Sequence, residues 1–223
     1  MVRTVGYREL FRNNRDFRNL FAGRFVSLFG DWFNLLAILA MLRAFGDDSA
    51  TGFAGVLLLK TLPGVLAPLG GVLADRLPRR DLMVMADVAR AIVVLGMVGL
   101  AWLQSVPLLY ALVIVQTLFS AVFEPARNAI FPDLVKPEEL TAATAISAAT
   151  WSLMLALGSA AGGLVTDGLG WEVALLLDAS TYLISAAFLL RVREPDVPRA
   201  PRESSGTVFD WLGLPDIIRG ARF

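Results

Sequence analysis

Apolar and polar positions divide this chain into long apolar runs joined by short charged connections. Runs of about 18 to 27 residues suit a bilayer core of roughly 30 Å. The pattern predicts membrane helices near 25–42, 52–74, 82–103, 106–128, 140–166 and 173–190. One set of connections carries Arg76, Arg79 and Arg80, then Arg127 and Lys136, then Arg191, Arg193, Arg199 and Arg202. The alternate set holds Arg43 with Asp47 and Asp48, then Gln104 and Ser105, then Asp167 and Glu172. Positive charge gathers on the cytoplasmic side, so the first set and both termini are placed there. β-Barrel strands are shorter and alternate in polarity, which excludes that architecture. The fold class is therefore all-α, a polytopic membrane protein with six transmembrane helices.

Three segments follow. Residues 1–24 form a basic arm, with six arginines against Glu9 and Asp16. It lacks the apolar core and small-residue cleavage site of a signal peptide. Because the first apolar run begins directly at Phe25, the arm reads as a cytoplasmic anchor, not a nucleic-acid-binding segment. Residues 25–190 make the bundle. Residues 191–223 begin as a linker rich in proline, arginine and serine. They end in a broken amphipathic pattern through Phe209, Trp211, Leu214, Ile218 and Phe223.

Composition narrows the chemistry. A chain of 223 residues that is 56% hydrophobic, with zero formal net charge, is not an ordinary soluble domain. With no cysteine there is neither a disulfide framework nor a thiolate metal site. With no histidine, any proton chemistry must run on carboxylates. No nucleophile elbow or nucleotide-binding glycine loop is present, so neither an enzyme nor a metal or cofactor site is expected.

Polar residues inside the runs recur at helical spacing. Arg24, Ser27, Asp31 and Asn34 share one face of the first helix, and Gln116, Ser120, Glu124 and Arg127 share one face of the fourth. The first stripe reads either as a cavity lining or as a helix–helix hydrogen-bond seam; in the fourth helix, Glu124 with Arg127 also reads as a surface ion pair. Asp178, Tyr182 and Ser185 line a face of the sixth helix, where Asp178 is expected to serve packing. Lys60 lies about 12 Å inside the second span, where a charge must be paired or face water. Asp31 lies about one helical turn away in height. Asp31 is thus either a proton-coupling acid or half of an ion pair with Lys60. Asp31, Asn34, Lys60, Gln116 and Glu124 are the candidates for a proton-coupling or substrate cavity.

Two glycine-bearing stretches complete the picture. Gly158, Gly162 and Gly163 give the fifth helix small-residue spacing suited to close packing. Residues 70–80 end the second run, and Gly70 and Gly71 permit close backbone approach before Asp75, Arg76, Arg79 and Arg80. The order G-V-L-A-D-R-L-P-R-R from Gly71 resembles the loop between helices two and three of the major facilitator superfamily, with Pro78 at the usual second glycine. Ser27 to Trp32, Asp87 to Arg90, Phe123 to Arg127, Pro132 to Val135 and Leu177 to Ala179 together resemble its enterobactin-exporter and macrolide-efflux branch. The resemblance covers residues 15 to 223 and implies the N-terminal half of a twelve-helix transporter. Helices one, two, four and five would face a central cavity, with three and six packed outside.

It further implies export of a small amphipathic molecule, such as a drug or siderophore, against entering protons, by rocking of two halves in the inner (plasma) membrane. Gly71, Asp75, Arg76, Arg79, Arg80 and Arg127 would then gate the conformational change. The expected partners are the lipid bilayer, a small-molecule substrate, protons and a second six-helix half, or a homodimer in its place. No nucleic acid is expected. An importer or lysophospholipid transporter of the same fold, or a fragment without transport of its own, remains open at this point, since fold does not fix substrate or direction.

Overall fold

A computed structural model of the chain describes residues 6–193. The linker and tail expected beyond residue 193 lie outside the described residues. A short helix α1 (Tyr7–Asn13) precedes six long ones: α2 (Arg15–Ala44), α3 (Ala50–Arg76), α4 (Arg79–Gly99), α5 (Val106–Leu134), α6 (Leu140–Leu169) and α7 (Trp171–Leu189). All six are long and apolar enough to cross a membrane. The chain is a membrane protein with six spanning helices among the described residues.

The helix ends follow local chemistry. Asn14, Ser49 and Ser105 accept backbone N–H bonds at the starts of α2, α3 and α5, satisfying donors the helices leave open. Only Gly170 joins α6 to α7; its φ of +91° is open to glycine at little cost. α4 ends at Gly99, earlier than the predicted 103, and Ala101–Leu103 form a 3-10 turn. α3 runs unbroken through Pro63 and Pro68.

The larger difference is at the N-terminus. The first membrane helix begins at Arg15, not at 25, so much of the expected arm is helical and docked. Leu10 is fully buried with Phe17, Val135 and Ala143. The Asn14 amide also donates to the Leu134 carbonyl at 2.7 Å and to Glu139 at 3.1 Å, tying α1 and α2 to the α5–α6 junction. Arginines dominate the composition here, but apolar residues at helical spacing dominate the packing. A charge-weighted reading therefore misses where the helix starts.

Helix pairing gives a curved row in the order α6, α2, α7, α4, α5, α3. Half of the apolar window in α2 and in α7 is buried, against 11% in α3 and in α6, so the row has protected middle members and open ends. Helices α4 and α7 form its back, with Met85, Ile92, Leu176 and Leu183 turned outward. The concave side lies between α2, α3 and α5.

Small residues set the closest approaches. A Cβ at Gly70 would stand 2.1 Å from the Ala121 carbonyl and 2.9 Å from Pro125, so α3 meets α5 there. Gly71, expected to share that role, has open space around it. Gly158 and Gly162 pack on Trp32 and Phe33 of α2, whereas Gly163 only grazes Leu36 at 4.0 Å. Helical rotation explains the split: neighbouring residues point about 100° apart, so one glycine of each adjacent pair faces the partner. Gly70→Ala is expected to lower the thermal midpoint of the purified protein by the equivalent of about 1–3 kcal/mol. Gly71→Ala should leave it unchanged, and equal effects from the two would show that the α3–α5 contact is not set at Gly70.

Candidate functional site

The polar residues of four helices meet on the concave side of the row, and each is delivered by an apolar helix that has few other places to turn it. Asn34 comes from α2, Lys60 from α3, Gln116 from α5 and Tyr182 from α7; Asn34, Gln116 and Tyr182 are buried. Lys60 Nζ donates to Asn34 Oδ1 at 2.6 Å and to Gln116 Oε1 at 3.1 Å. Gln116 Nε2 donates to the Tyr182 hydroxyl at 3.2 Å, and that hydroxyl donates to Asp31 Oδ1 at 2.6 Å.

The chain continues ionically. Asp31 Oδ2 lies 3.5 Å from Arg24, Arg24 lies 2.7 Å from Glu124, and Glu124 lies 3.2 Å from Arg127. Asp31 and Glu124 are about one-third exposed, so the acidic side of the network opens to a cleft. That cleft measures about 240 Å³ and is lined by Asp31, Lys60, Arg90, Glu124 and Tyr182 among others.

This geometry changes one expectation. Lys60 and Asp31 do not form a direct ion pair: the ammonium rests on two neutral carboxamide oxygens, and Asp31 is engaged by Tyr182 and Arg24. Matching heights along two helices ignored rotation about their axes, which turns Lys60 toward Asn34 and Gln116. Glu124 and Arg127 are likewise more than a local surface pair, because Arg24 of α2 joins them.

Behind the network sits a second charged pair. Arg90 and Asp87 of α4 are buried and ion-paired. The Arg90 guanidinium stands 4.5 Å from the Phe123 ring centre and 4.4 Å from that of Tyr182. Contacts of this kind favour a cation held against aromatic faces. Arg90 thereby supports the ring whose hydroxyl holds Asp31. Asp87 and Arg90 lie within one of the stretches that carry the family resemblance, and two opposite charges three residues apart in an apolar run are a signal in themselves. Tyr182 was grouped with Asp178, and its bond to Asp31 was not readable from one helix.

The basic loop after α3 is tied to α5. Arg79 reaches α5, where it donates to the Ala129 carbonyl at 2.8 Å and pairs with Asp133. Arg80 pairs with Asp81 at 2.8 Å. Asp75 is exposed and takes part in no ion pair among the described residues. Among the described residues, the acid that ties Arg79 to α5 is Asp133. A single sequence could not choose between an acid four residues away and one more than fifty residues on. Arg76 occupies the last turn of α3.

The site thus combines a half-buried cation, two cleft-facing carboxylates and a bridging tyrosine, inside a bundle made for lipid. Polar side chains gathered at a cleft between apolar helices offer partners that lipid does not. Similarity to known proteins points the same way. The chain is 33% identical over 180 residues to a putative bacilysin exporter, BacE, of Bacillus subtilis (strain 168), covering 80% of this chain and 44% of that protein. It is 29% identical over 183 residues to the MFS-type transporter YfiS of the same organism, covering 82% and 43%. Macrolide efflux protein A of Streptococcus pyogenes is 28% identical over 186 residues, with 80% and 45% covered. The chain spans under half the length of these relatives. No solved structure gives a significant match. The model of the Major Facilitator Superfamily matches residues 20–223, from within α2 onward, and the chain belongs to that superfamily.

Proposed function

We propose that the chain is one half of an exporter of small amphipathic molecules in the plasma membrane, with both described ends cytoplasmic, driven by proton antiport through alternating access. The observation that supports this reading most is the continuous polar network from Lys60 to Arg127, which opens to a cleft among otherwise apolar helices. Charged groups at such depth are costly unless they face a pathway. The relatives named as exporters agree with an outward direction.

Proton exchange falls to the cleft-facing acids. A protonated Asp31 keeps its hydrogen bond with Tyr182 but loosens its hold on Arg24, which then rests on Glu124 alone. The link between α2 and α5 would in this way respond to a proton, and two rocking bundles can convert that into a change of access. Arg79 with Asp133 fastens the cytoplasmic ends of α4 and α5 and would resist their separation.

Asp31→Asn preserves the Tyr182 acceptor and removes the charge. In the full transporter, it is expected to lower proton-driven efflux at least tenfold while the fold and solute binding survive. Proteoliposomes under an imposed pH gradient, loaded with a panel of labelled amphipathic molecules including a macrolide, provide the measurement. Undiminished gradient-driven efflux would remove Asp31 from the coupling path.

The open ends of the row call for a counterpart. Lys60 is only partly covered, and lipid does not solvate such a group. A second six-helix bundle, supplied by further polypeptide or by a second copy, would close the concave side. Proteoliposomes holding only these 223 residues are expected to show no gradient-driven transport, with activity appearing once a second bundle is supplied. Robust transport by the 223-residue chain, together with a dimer in crosslinking, would assign the counterpart to a second copy.

A further inference from the structure

The buried interior between α2, α4 and α7 holds a carboxylate that the network above does not use. Asp178 is fully buried, and neither of its oxygens has a hydrogen-bond partner among the described residues. It was expected to be a packing residue. It does pack, with one oxygen seated so near Gly30 that a Cβ there would come within 2.8 Å. Yet a bare carboxylate in such a place is costly, so it must hold a proton or find a counter-charge.

The surrounding charges identify the counter-charge by their commitments. From α4, Arg90 is paired with Asp87. From α2, Asp31 is held by Arg24 and by Tyr182 of α7 itself. From α5, Glu124 is held by Arg24 and Arg127. Lys60 of α3 alone rests on neutral acceptors, Asn34 and Gln116. Asn34 is the link. Its Oδ1 accepts from Lys60, while its Nδ2 is buried, has no partner among the described residues, and lies near enough to the Asp178 carboxyl to act on it.

We propose that Asp178 and Lys60 form a pair bridged by the Asn34 carboxamide, and that the Asp178 carboxyl is a second proton-binding site of this protein. With the proton on, Asp178 carries no charge and Lys60 stands as an uncompensated cation beside the cleft. When the O–H bond breaks, the proton leaves to water in the cleft, and the carboxylate accepts from Asn34 and balances Lys60. The state of a group buried behind α2 is thereby reported, through one carboxamide, to the residue that joins α3 to α5. The proposal rests on the transport reading only for the use made of the proton.

The test uses the purified full chain in lipid nanodiscs and needs no transport. Infrared difference spectra across a pH step are expected to show a carboxyl C=O band from an apolar setting that vanishes in Asp178→Asn and persists in Asp31→Asn. Should Asp178→Asn not fold, Asp178→Glu serves instead, and must move the band. Thermal melts supply an independent arm. Lys60→Met is expected to lower the midpoint by about 5 °C, and adding Asp178→Asn to restore it, because removing both charges spares the interior a lone ion. A band indifferent to position 178, or restoration of Lys60→Met by Asp31→Asn and not by Asp178→Asn, would overturn the proposal. Titration at Asp178, together with no gradient-driven transport even once a second bundle is supplied, would refute the transport reading alone.

Discussion

A lysine ammonium cannot remain bare in the middle of a membrane helix, and much of this structure answers that constraint. Lys60 is met by Asn34 at 2.6 Å and Gln116 at 3.1 Å, from two other helices. Those contacts fix the rotation of α2, α3 and α5 about their own axes. Gln116 then has its amide free for Tyr182, and Tyr182 its hydroxyl for Asp31. Each donor needs an acceptor because lipid offers none. One costly charge therefore organises residues on four helices.

Such polar contacts require close backbones, which small residues provide. Gly30 lets α7 lie against α2 where Asp178 and Thr181 face it, and Gly23 does the same beside Ser185. Gly70 admits the Ala121 carbonyl, bringing α3 and α5 together on the side where Lys60 meets Gln116. With larger side chains at these points the helices would stand further apart, and the hydrogen bonds would lengthen past usefulness. Packing and polarity are thus one arrangement: the glycines set the distance, and the polar side chains set the rotation.

Membrane helices were legible from the order of residues because their cause is local. Twenty or so apolar residues in a row exclude water and must satisfy their backbone internally, whatever lies beside them. Asp31, Asn34, Lys60, Gln116 and Glu124 stood out for a similar reason, since a polar group in such a run is expensive wherever it points. The docked helix α1 was hidden because arginines outnumber its buried apolar residues, and only contact with Val135 and Ala143 shows which face matters.

The sequence by itself determined the number of spans, the class of fold and the set of polar residues that needed partners. Tertiary structure alone decided which partner each one found. Arg79 took Asp133 and not Asp75, Lys60 took two carboxamides and not Asp31, and Gly70 became a contact while Gly71 did not. Each outcome turns on about 100° of helical rotation or a few ångströms of separation between helices. Those quantities belong to the packed bundle, because no single helix contains the neighbour that sets them.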